Sequence, residues 1–571
     1  MQVRIRISRR ERSVEATLPH RPSNGATRPI ESSLEAAAPT RVTHRTRATA
    51  GSAHVALGIL LSRISGLVRE RVIAHYFGNS DFVGIFRAAF KIPNLLSNLF
   101  GEGVISASFV TVYAKLRAQG EDEAAQEVAE TVFSLLALIS SALVLLGVLF
   151  TPLLIDLIAP GFHGDDRALT IRLVRILFPA AGVLVMGAWC LGVLNSHRRF
   201  LLSYTAPVAM NVVMICALVL FGRYLPQDQS VVLLSWACVA GSVLTLLVQL
   251  PSVFRLLPIF RPMLDLSSGH VQRVVHNFGP VFVSRGVVQI SAYIDLTIAS
   301  LLGPAAVAAF SYGQFIAVLP ISLFSMSISA AELPELSSAI GNEEQVAEQL
   351  RTRLNAGLRK IAFFIVPCAV AFLIIGDVLI AALYQGGRFH YSDTLYVWSV
   401  LAGSSVGLLA TSLGRLYSSA FYALHDTRTP LRFALTRVTL TTALGLLFAF
   451  PLPRLLGLDP KWGVAGLTVS AGVAGWVEFT LLRSALVKRI GNVSIQATFA
   501  AKLWIASSIA AMLGFFLKQA LGVRHPIPLA VVVITLYAVV YFGTTALTGV
   551  KESSNTMSAV LRRLKIASFF R

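Results

Sequence analysis

Long apolar stretches separated by short polar connections follow one another along the chain from residue 53 onward. A helix needs about 20 mostly apolar residues to cross a bilayer, and the pattern contains fourteen segments of this kind. The predicted segments are 53–76, 82–113, 128–158, 171–195, 200–222, 230–252, 277–302, 304–331, 356–384, 393–422, 432–452, 463–482, 497–518 and 526–549. Because backbone in lipid must satisfy its hydrogen bonds within a helix, this pattern predicts an all-α polytopic membrane protein.

Composition agrees with this interpretation, since 55% of the 571 residues are hydrophobic and only 14% are charged. A soluble globular enzyme does not have such a composition. The charge is also unbalanced, with 49 Lys and Arg against 29 Asp and Glu. Nucleic-acid binders carry basic stripes on soluble modules, whereas these basic residues flank apolar segments. The charge therefore indicates membrane topology, and no nucleic-acid partner is expected.

Basic residues concentrate in every second connection between the predicted spans. The rich connections include Lys115, Arg198, Arg199, Arg255, Arg261, Arg273, Arg351, Arg353, Arg428, Arg437, Arg483 and Lys488. The alternate connections hold only Arg167, Arg223, Arg388, Arg454, Lys461, Lys518 and Arg524. By the positive-inside rule, this bias predicts an even number of spans with both termini in the cytoplasm.

Five regions are predicted along the chain. Residues 1–50 are basic and poor in apolar residues, which predicts a disordered cytoplasmic tail. Residues 53–252 and 277–482 each hold six spans and form an N-terminal and a C-terminal lobe. Residues 497–549 add two C-terminal helices, and 550–571 form a basic cytoplasmic tail.

No motif predicts a metal site, a cofactor or catalysis. The four cysteines lie in apolar segments without metal-ligand spacing. The stretch 403–407 matches G-x-S-x-G, but it lies inside an apolar span, where small residues serve helix packing. The chain also has no nucleotide-binding loop, so we expect an ion gradient, the membrane potential or consumption of the substrate to drive any transport.

Charges inside the membrane are costly, so each one marks a candidate functional residue. The second span carries a polar stripe whose members recur every three or four residues and share one helical face. The stripe consists of Arg87, Lys91, Asn94, Asn98 and Glu102. Pro93 lies inside it and is expected to kink the helix. The first span adds Arg63 and Glu70, seven residues apart on one face, where the two are expected to neutralise each other in part. It also holds Arg69 and Arg71, and snorkelling to the headgroups is the alternative role for Arg71 and for Arg63.

The seventh and eighth spans repeat parts of this arrangement. Arg285 follows a serine as Arg63 does, Asp295 lies deeper in the same span, and Pro320 lies mid-helix as Pro93 does. Because six spans separate the matching elements, the sequence predicts two parallel, pseudo-repeated lobes with a substrate site between them. A cationic cleft suits an anionic substrate, and guanidinium groups fit the oxygens of a diphosphate.

Several sequence blocks closely resemble the MurJ (MviN) lipid II flippases of the multidrug/oligosaccharidyl-lipid/polysaccharide (MOP) exporter superfamily. The resembling blocks are 62–70, 76–78, 90–96, 100–103, 195–200, 206–211, 383–389 and 421–430. The resemblance implies transport of undecaprenyl-diphosphate-linked peptidoglycan precursor, lipid II, by alternating access in the bacterial cytoplasmic membrane. It also implies cell-wall synthesis enzymes as partners.

The resemblance assigns roles to individual residues. Arg63, Arg69 and Lys91 match the family's cationic positions and would contact the substrate, with Arg87 and Arg285 as local additions. Residues with a gating or charge-organising role would be Glu70, Glu102 and Asp295. The chain departs from the family at three usually charged positions, which here are Gly84, Ser97 and Phe315.

These departures leave other functions open. One alternative is a flippase for another undecaprenyl-diphosphate-linked oligosaccharide, such as an O-antigen or capsule unit. A membrane glycosyltransferase would need carboxylates in a sizeable outer loop, and only Asp165 and Asp166, in a short one, are available. A non-transporting paralogue that recruits cell-wall enzymes is the third alternative.

Overall fold

The computed structural model describes residues 42–257, 260–337, 342–522 and 525–558. A helix lies at each of the fourteen predicted positions. The long helices are α1 (Val42–Phe77), α2 (Asp81–Phe100), α3 (Asp122–Leu149), α4 (Gly164–Ser196), α5 (Pro207–Phe221), α6 (Gln227–Leu256), α7 (Gly269–Ser300), α8 (Pro304–Pro320), α9 (Glu343–Ile374), α10 (Tyr391–Ala423), α11 (Arg428–Ala449), α12 (Gly463–Ile490), α13 (Ala497–Leu521) and α14 (Pro526–Leu547). The described residues form no β-strand, so the all-α prediction is confirmed.

Twelve helical segments of the described chain are long and apolar enough to cross a membrane. The first and seventh predicted spans are not among them, although α1 and α7 contain 36 and 32 residues. Both helices include side chains that lie outside the described residues, so these two spans stay predictions.

Shorter elements extend several of these helices. Beyond α2 the chain continues as Glu102–Ile105, a π-helical turn at Ser106–Val110 and a helix over Thr111–Gln119. Beyond α8 it continues as a π-helical turn at Ile321–Ser325 and a helix over Met326–Ser337. The helix Phe200–Thr205 precedes α5.

Several predicted boundaries were wrong. The predicted span 356–384 is two helices, because α9 ends at Ile374 and a new helix covers Gly376–Tyr384. Helix α1 begins at Val42, so the last residues assigned to the N-terminal tail are helical; the segment after Pro39 contains no proline that would end a helix. The predicted span 128–158 is two helices, because α3 ends at Leu149 and Thr151–Ile158 starts again with Pro152 in its first turn. Residues 1–41 and 559–571, which hold most of both predicted tails, lie outside the described residues.

Helix packing repeats after six helices. In the first half α4 packs on α2, α3 and α6, and α5 packs on α6. In the second half α10 packs on α8, α9 and α12, and α11 packs on α12. The matching elements run in the same direction, which gives the two pseudo-repeated lobes that the charge and proline pattern predicts. From Gly51 onward the chain forms one compact unit, so the predicted lobe boundaries stay a prediction.

The C-terminal pair α13 and α14 packs on the second lobe, against α9 and the short helix Gly376–Tyr384. The Tyr537 hydroxyl donates to the Pro367 carbonyl at 2.7 Å, and the Tyr541 hydroxyl donates to the Phe363 carbonyl at 2.6 Å. Pro367 has no backbone N–H, so one carbonyl of α9 lacks its usual helical donor. The tyrosine hydroxyls donate to carbonyls in this region. The pair is thereby fixed to α9 by directed bonds as well as by apolar packing.

The two lobes meet at one end of the bundle, where α1 leads into α2 and α7 leads into α8. We call this the junction end. The Ala305 amide donates to the Asp81 carboxylate at 3.0 Å, and the Asn79 side-chain amide donates to the Ala305 carbonyl at 3.3 Å. The Arg388 amide donates to the His75 carbonyl at 2.9 Å. Backbone groups of both lobes are therefore joined directly at this end.

Candidate functional site

A buried carboxylate with two arginine partners lies where α1 and α2 face each other. The Glu70 side chain is almost fully buried, with 1% of the residue exposed. Arg69 pairs with one carboxylate oxygen at 2.7 Å, and Arg87 of α2 pairs with both oxygens. We call these three residues the Glu70 cluster. Its two cations and one anion leave it with a net positive charge.

Neighbouring helices hold the Glu70 cluster in place. The second terminal nitrogen of Arg69 donates to the Asn211 Oδ1 atom of α5 at 2.9 Å, and the Asn211 amide donates to the Ser65 hydroxyl at 2.8 Å. The Arg87 guanidinium lies 5.5 Å from the ring centroid of Tyr312 on α8. The cluster thus joins α1, α2 and α5 of the first lobe and contacts the second lobe through one aromatic ring.

The arrangement also leaves donors unused. The Nε atoms of Arg69 and Arg87 are buried and have no hydrogen-bond partner among the described residues. Buried polar groups are normally satisfied, and unsatisfied ones call for an explanation such as a ligand or water. An excess of positive charge with spare N–H donors is suited to binding an oxyanion.

The structure places Arg63 apart from the Glu70 cluster. Its side chain is exposed, and the described residues give it no ion pair. The expected sharing of charge between Arg63 and Glu70 was wrong: seven residues separate the two by about 10 Å along the helix, and Glu70 is already occupied by Arg69 and Arg87.

Lys91 and Asp295 lie where α2 approaches α7. The Lys91 amine is 5.4 Å from the ring centroid of Tyr293, and the Tyr293 hydroxyl donates to the Lys91 carbonyl at 2.7 Å. Asp295 is partly buried, and its Oδ1 atom has no partner among the described residues. The side chains of Arg285 and Glu102 lie outside the described residues, so their assigned roles stay predictions.

The two prolines predicted to kink helices lie in different local settings. Pro93 is buried inside α2, and the helix continues past it to Phe100, where Gly101 adopts an extended conformation. Pro320 is the last residue of α8 before the π-helical turn Ile321–Ser325. A π-helical turn is a recognised way to accommodate a bend or a freed carbonyl. Such a turn directly follows Pro320, whereas α2 continues as an α-helix past Pro93.

The three departures from the family pattern have different structural settings. A Cβ atom at Gly84 would lie 1.8 Å from the Pro304 carbonyl oxygen, so no side chain fits there in this packing. The Ser97 hydroxyl bonds locally to Asn94, at 3.1 Å to its carbonyl and 3.0 Å to its side-chain oxygen. Phe315 packs against the apolar core.

Sequence reasoning missed several contributors. Tyr312 was not singled out, because an aromatic residue in an apolar span carries no signal of its own. Arg71 donates to the carbonyls of Ala382 and Leu383 at 2.6 and 3.1 Å, so it bridges the lobes instead of extending to the headgroups. Arg437 was assigned to a loop, but it lies in α11 and pairs with Glu478 at 3.1 Å.

The described residues contain no group of three potential metal ligands. The fold and this net-cationic, membrane-embedded cluster define a polytopic transporter of the MOP exporter type. Among solved structures, the chain resembles a lipid II flippase MurJ in an inward closed conformation, with a TM-score of 0.70, 22% identity, and coverage of 86% of this chain and 98% of the other. It also resembles an inward-facing multidrug resistance MATE family transporter of the MOP superfamily, with a TM-score of 0.58, 19% identity, and coverage of 77% and 99%.

Sequence comparison identifies the family. The family model described as lipid II flippase MurJ matches residues 73–537. The lipid II flippase MurJ of Burkholderia cenocepacia is 32% identical over 436 residues, which cover 75% of this chain and 82% of that protein. A probable lipid II flippase MurJ of Bdellovibrio bacteriovorus is 29% identical over 516 residues, covering 88% and 94%. The chain belongs to the MurJ family.

Proposed function

We propose that this protein translocates lipid II, the lipid-linked peptidoglycan precursor, from the inner to the outer leaflet of the cytoplasmic membrane for cell-wall synthesis. Membership of the MurJ family supports the substrate class. The movement would follow alternating access, in which the two lobes separate at one end while they close at the other.

The proposal rests mainly on the geometry and charge of the Glu70 cluster. A buried site with two guanidinium groups and one carboxylate attracts an anion, and each arginine retains a buried Nε–H without a partner among the described residues. The lipid II diphosphate offers oxygens to these donors, and guanidinium groups bind such oxygens well. Glu70 holds both arginines in position while the site is empty, so that the binding geometry exists before the substrate arrives.

The orientation follows from loop charge. Connections at the junction end are poor in Lys and Arg, and those at the opposite end are rich in them. By the positive-inside rule, the junction end faces away from the cytoplasm and both termini lie inside the cell. The described bonds between the lobes at the junction end then correspond to a state closed towards the outside.

The chain has no nucleotide-binding motif, so we propose that the membrane potential or an ion gradient drives the cycle. Moving one net positive charge through the field is worth about 2.3 kcal/mol per 100 mV. Return of the empty, net-positive cluster would respond to such a field.

Complementation tests the proposal. The chain is expressed in cells depleted of their own lipid II flippase, and survival is followed together with lipid II exposed on the outer leaflet. We expect rescue by the unaltered chain and by Arg454→Ala, which removes an exposed arginine at the junction end. We expect none from Arg69→Ala at equal membrane abundance. Stable expression of the unaltered chain without rescue would overturn lipid II as the substrate.

A further inference from the structure

Helix α4 carries two arginines that the transport site does not use. Arg172 and Arg175 lie on the part of α4 nearest the junction end, and both side chains are exposed. Within the described part of the chain, neither guanidinium makes an ion pair or a hydrogen bond. Basic residues are scarce at this end of the bundle, so two free arginines here call for a partner from outside the chain.

The depth of Arg172 and Arg175 in the membrane follows from the distribution of charged residues along α4. The residues from Ile176 to Leu194 contain no charged side chain. At 1.5 Å per residue this run is about 28 Å long, close to the thickness of about 30 Å of the hydrocarbon core. Arg175 directly precedes the run, and Arg172 lies one turn earlier. Both guanidinium groups therefore lie at the boundary between hydrocarbon and headgroups.

The surface around the two arginines is apolar and exposed, as expected for a surface in contact with lipid. Helix α6 packs beside α4 and exposes Trp236, Leu244 and Leu247. Trp236 is 57% exposed and lies nine residues from the start of α6 at Gln227, a depth similar to that of Arg172 in α4. Tryptophan is enriched at the membrane interface, where an apolar ring can also offer an N–H donor.

The arginines line a shallow depression that is open on one side. A cavity of about 490 Å³ opens between α4 and α6, bordered by both arginines, Trp236, Ile171, Ile176 and Pro179. No acidic side chain of the described residues lines it. A second cavity, of about 370 Å³ beside Thr111–Gln119, also has basic residues, Lys115 and Arg273, but it includes Glu121 as its own counter-charge. Of these two cavities, only the α4–α6 cavity is lined by cations without any acidic side chain.

We propose that Arg172 and Arg175 bind the phosphodiester group of an anionic phospholipid in the leaflet at the junction end. Two guanidinium groups one turn apart can each donate to the phosphate oxygens. The acyl chains lie along the exposed apolar face of α6, and Trp236 contacts the glycerol region. A single arginine on a convex surface would snorkel to any headgroup. Two arginines that line one cavity without an acid favour a headgroup with net negative charge.

Lipid titration of the full-length protein in detergent tests this site independently of transport. Phosphatidylglycerol is the probe, phosphatidylcholine is the zwitterionic reference, and bound lipid is counted by native mass spectrometry. Replacing both arginines, in Arg172→Gln with Arg175→Gln, is expected to weaken phosphatidylglycerol binding by about tenfold or more, since a hydrogen bond to a charged group contributes enough for at least that change. Because neither arginine has a partner within the described protein, this variant should remain folded.

The matched control replaces Arg223 and Arg454, two exposed arginines of the junction end that do not line the cavity. It removes the same charge and should change phosphatidylglycerol affinity less than about twofold, as expected for screened surface charges. A conservative double variant, Arg172→Lys with Arg175→Lys, should give an intermediate loss because the charge stays but the planar fork is gone. Unchanged affinity in the glutamine variant, an equal loss in the control, or equal binding of phosphatidylcholine would each overturn the proposal.

Discussion

Among the described residues, the buried carboxylates Glu70 and Asp377 each form an ion pair, and the two sites differ in their balance of charge. Glu70 has two arginine partners, Arg69 and Arg87. Asp377, of which 4% is exposed, has one partner, Lys518 of α13. The first site keeps a net positive charge and unused donors, whereas the second is neutral. The neutral pair joins α13 to the second lobe, and the unbalanced cluster is free to bind an anion.

This difference separates a structural ion pair from a binding site without reference to sequence motifs. Burial alone therefore does not mark the site; the excess of cations over anions does. The following predictions test that distinction.

The largest effect is expected at the centre of the unbalanced cluster. Glu70→Gln leaves Arg69 and Arg87 buried without a counter-ion, which should lower the free energy of unfolding by about 3–5 kcal/mol and abolish complementation. Thermal unfolding in detergent and the rescue assay measure the two effects. The exposed Glu123→Gln serves as the control for loss of one carboxylate and should behave as the unaltered chain. Unchanged stability of Glu70→Gln would mean that the cluster does not hold its arginines through Glu70.

A smaller effect is expected from the neutral pair. Lys518→Met leaves Asp377 unpaired, and since Lys518 is itself partly exposed, we expect a loss of about 1–3 kcal/mol. The double variant Asp377→Asn with Lys518→Met removes both charges and should recover most of that loss. Rescue per folded molecule should stay unchanged in both variants. Loss of transport in the stable double variant would show that this pair is more than a connection between helices.

A conservative exchange distinguishes the two sites further. Arg69→Lys keeps the charge but cannot contact Glu70 and Asn211 together, because the ammonium lacks the planar fork. We expect a loss of roughly 1 kcal/mol in stability with a severe loss of rescue. The opposite exchange, Lys518→Arg, should preserve both properties. Equal activity of Arg69→Lys and the unaltered chain would indicate that positive charge alone is required.

The smallest effect is expected from a carboxylate outside the membrane. Asp426 lies between α10 and α11, and the backbone amide of Thr429, its hydroxyl and Arg489 at 2.5 Å lower the pKa of Asp426 from 3.8 to about 2. Its contribution to stability is complete above about pH 4 and declines as the pH falls towards 2. Unfolding temperatures of the unaltered chain and of Asp426→Asn should therefore differ slightly at pH 7 and converge near pH 2. A difference that grows on acidification would contradict this assignment.

The sequence predicts the helices well because a bilayer demands one property, a long apolar run, and the chain shows it directly. Its polar stripe placed Arg87 on the correct helix, yet spacing along one helix cannot reveal the partner on another. Glu70 was therefore expected to pair with Arg63, whereas in the structure it pairs with Arg69 and Arg87. The same limit explains Arg437, whose partner Glu478 lies 41 residues away.

Boundaries were harder to predict than spans. The break after Leu149 falls within a continuous apolar stretch, so hydropathy alone does not show it. The role of Gly84 was also out of reach, since the sequence contains no sign that the Pro304 carbonyl would come so close.

The contact of Gly84 with Pro304 has a consequence for the rate of the transport cycle. The two lobes meet there backbone to backbone, so nothing has to slide out of a pocket or change rotamer when they part. A side chain at position 84, such as the charged one usual in the family, would act as a wedge and hold the helices apart. With glycine, the closed arrangement gains close contact. We expect the chain to spend longer in this arrangement than relatives with the wedge, so that this position governs how often the protein turns over more than how tightly it binds.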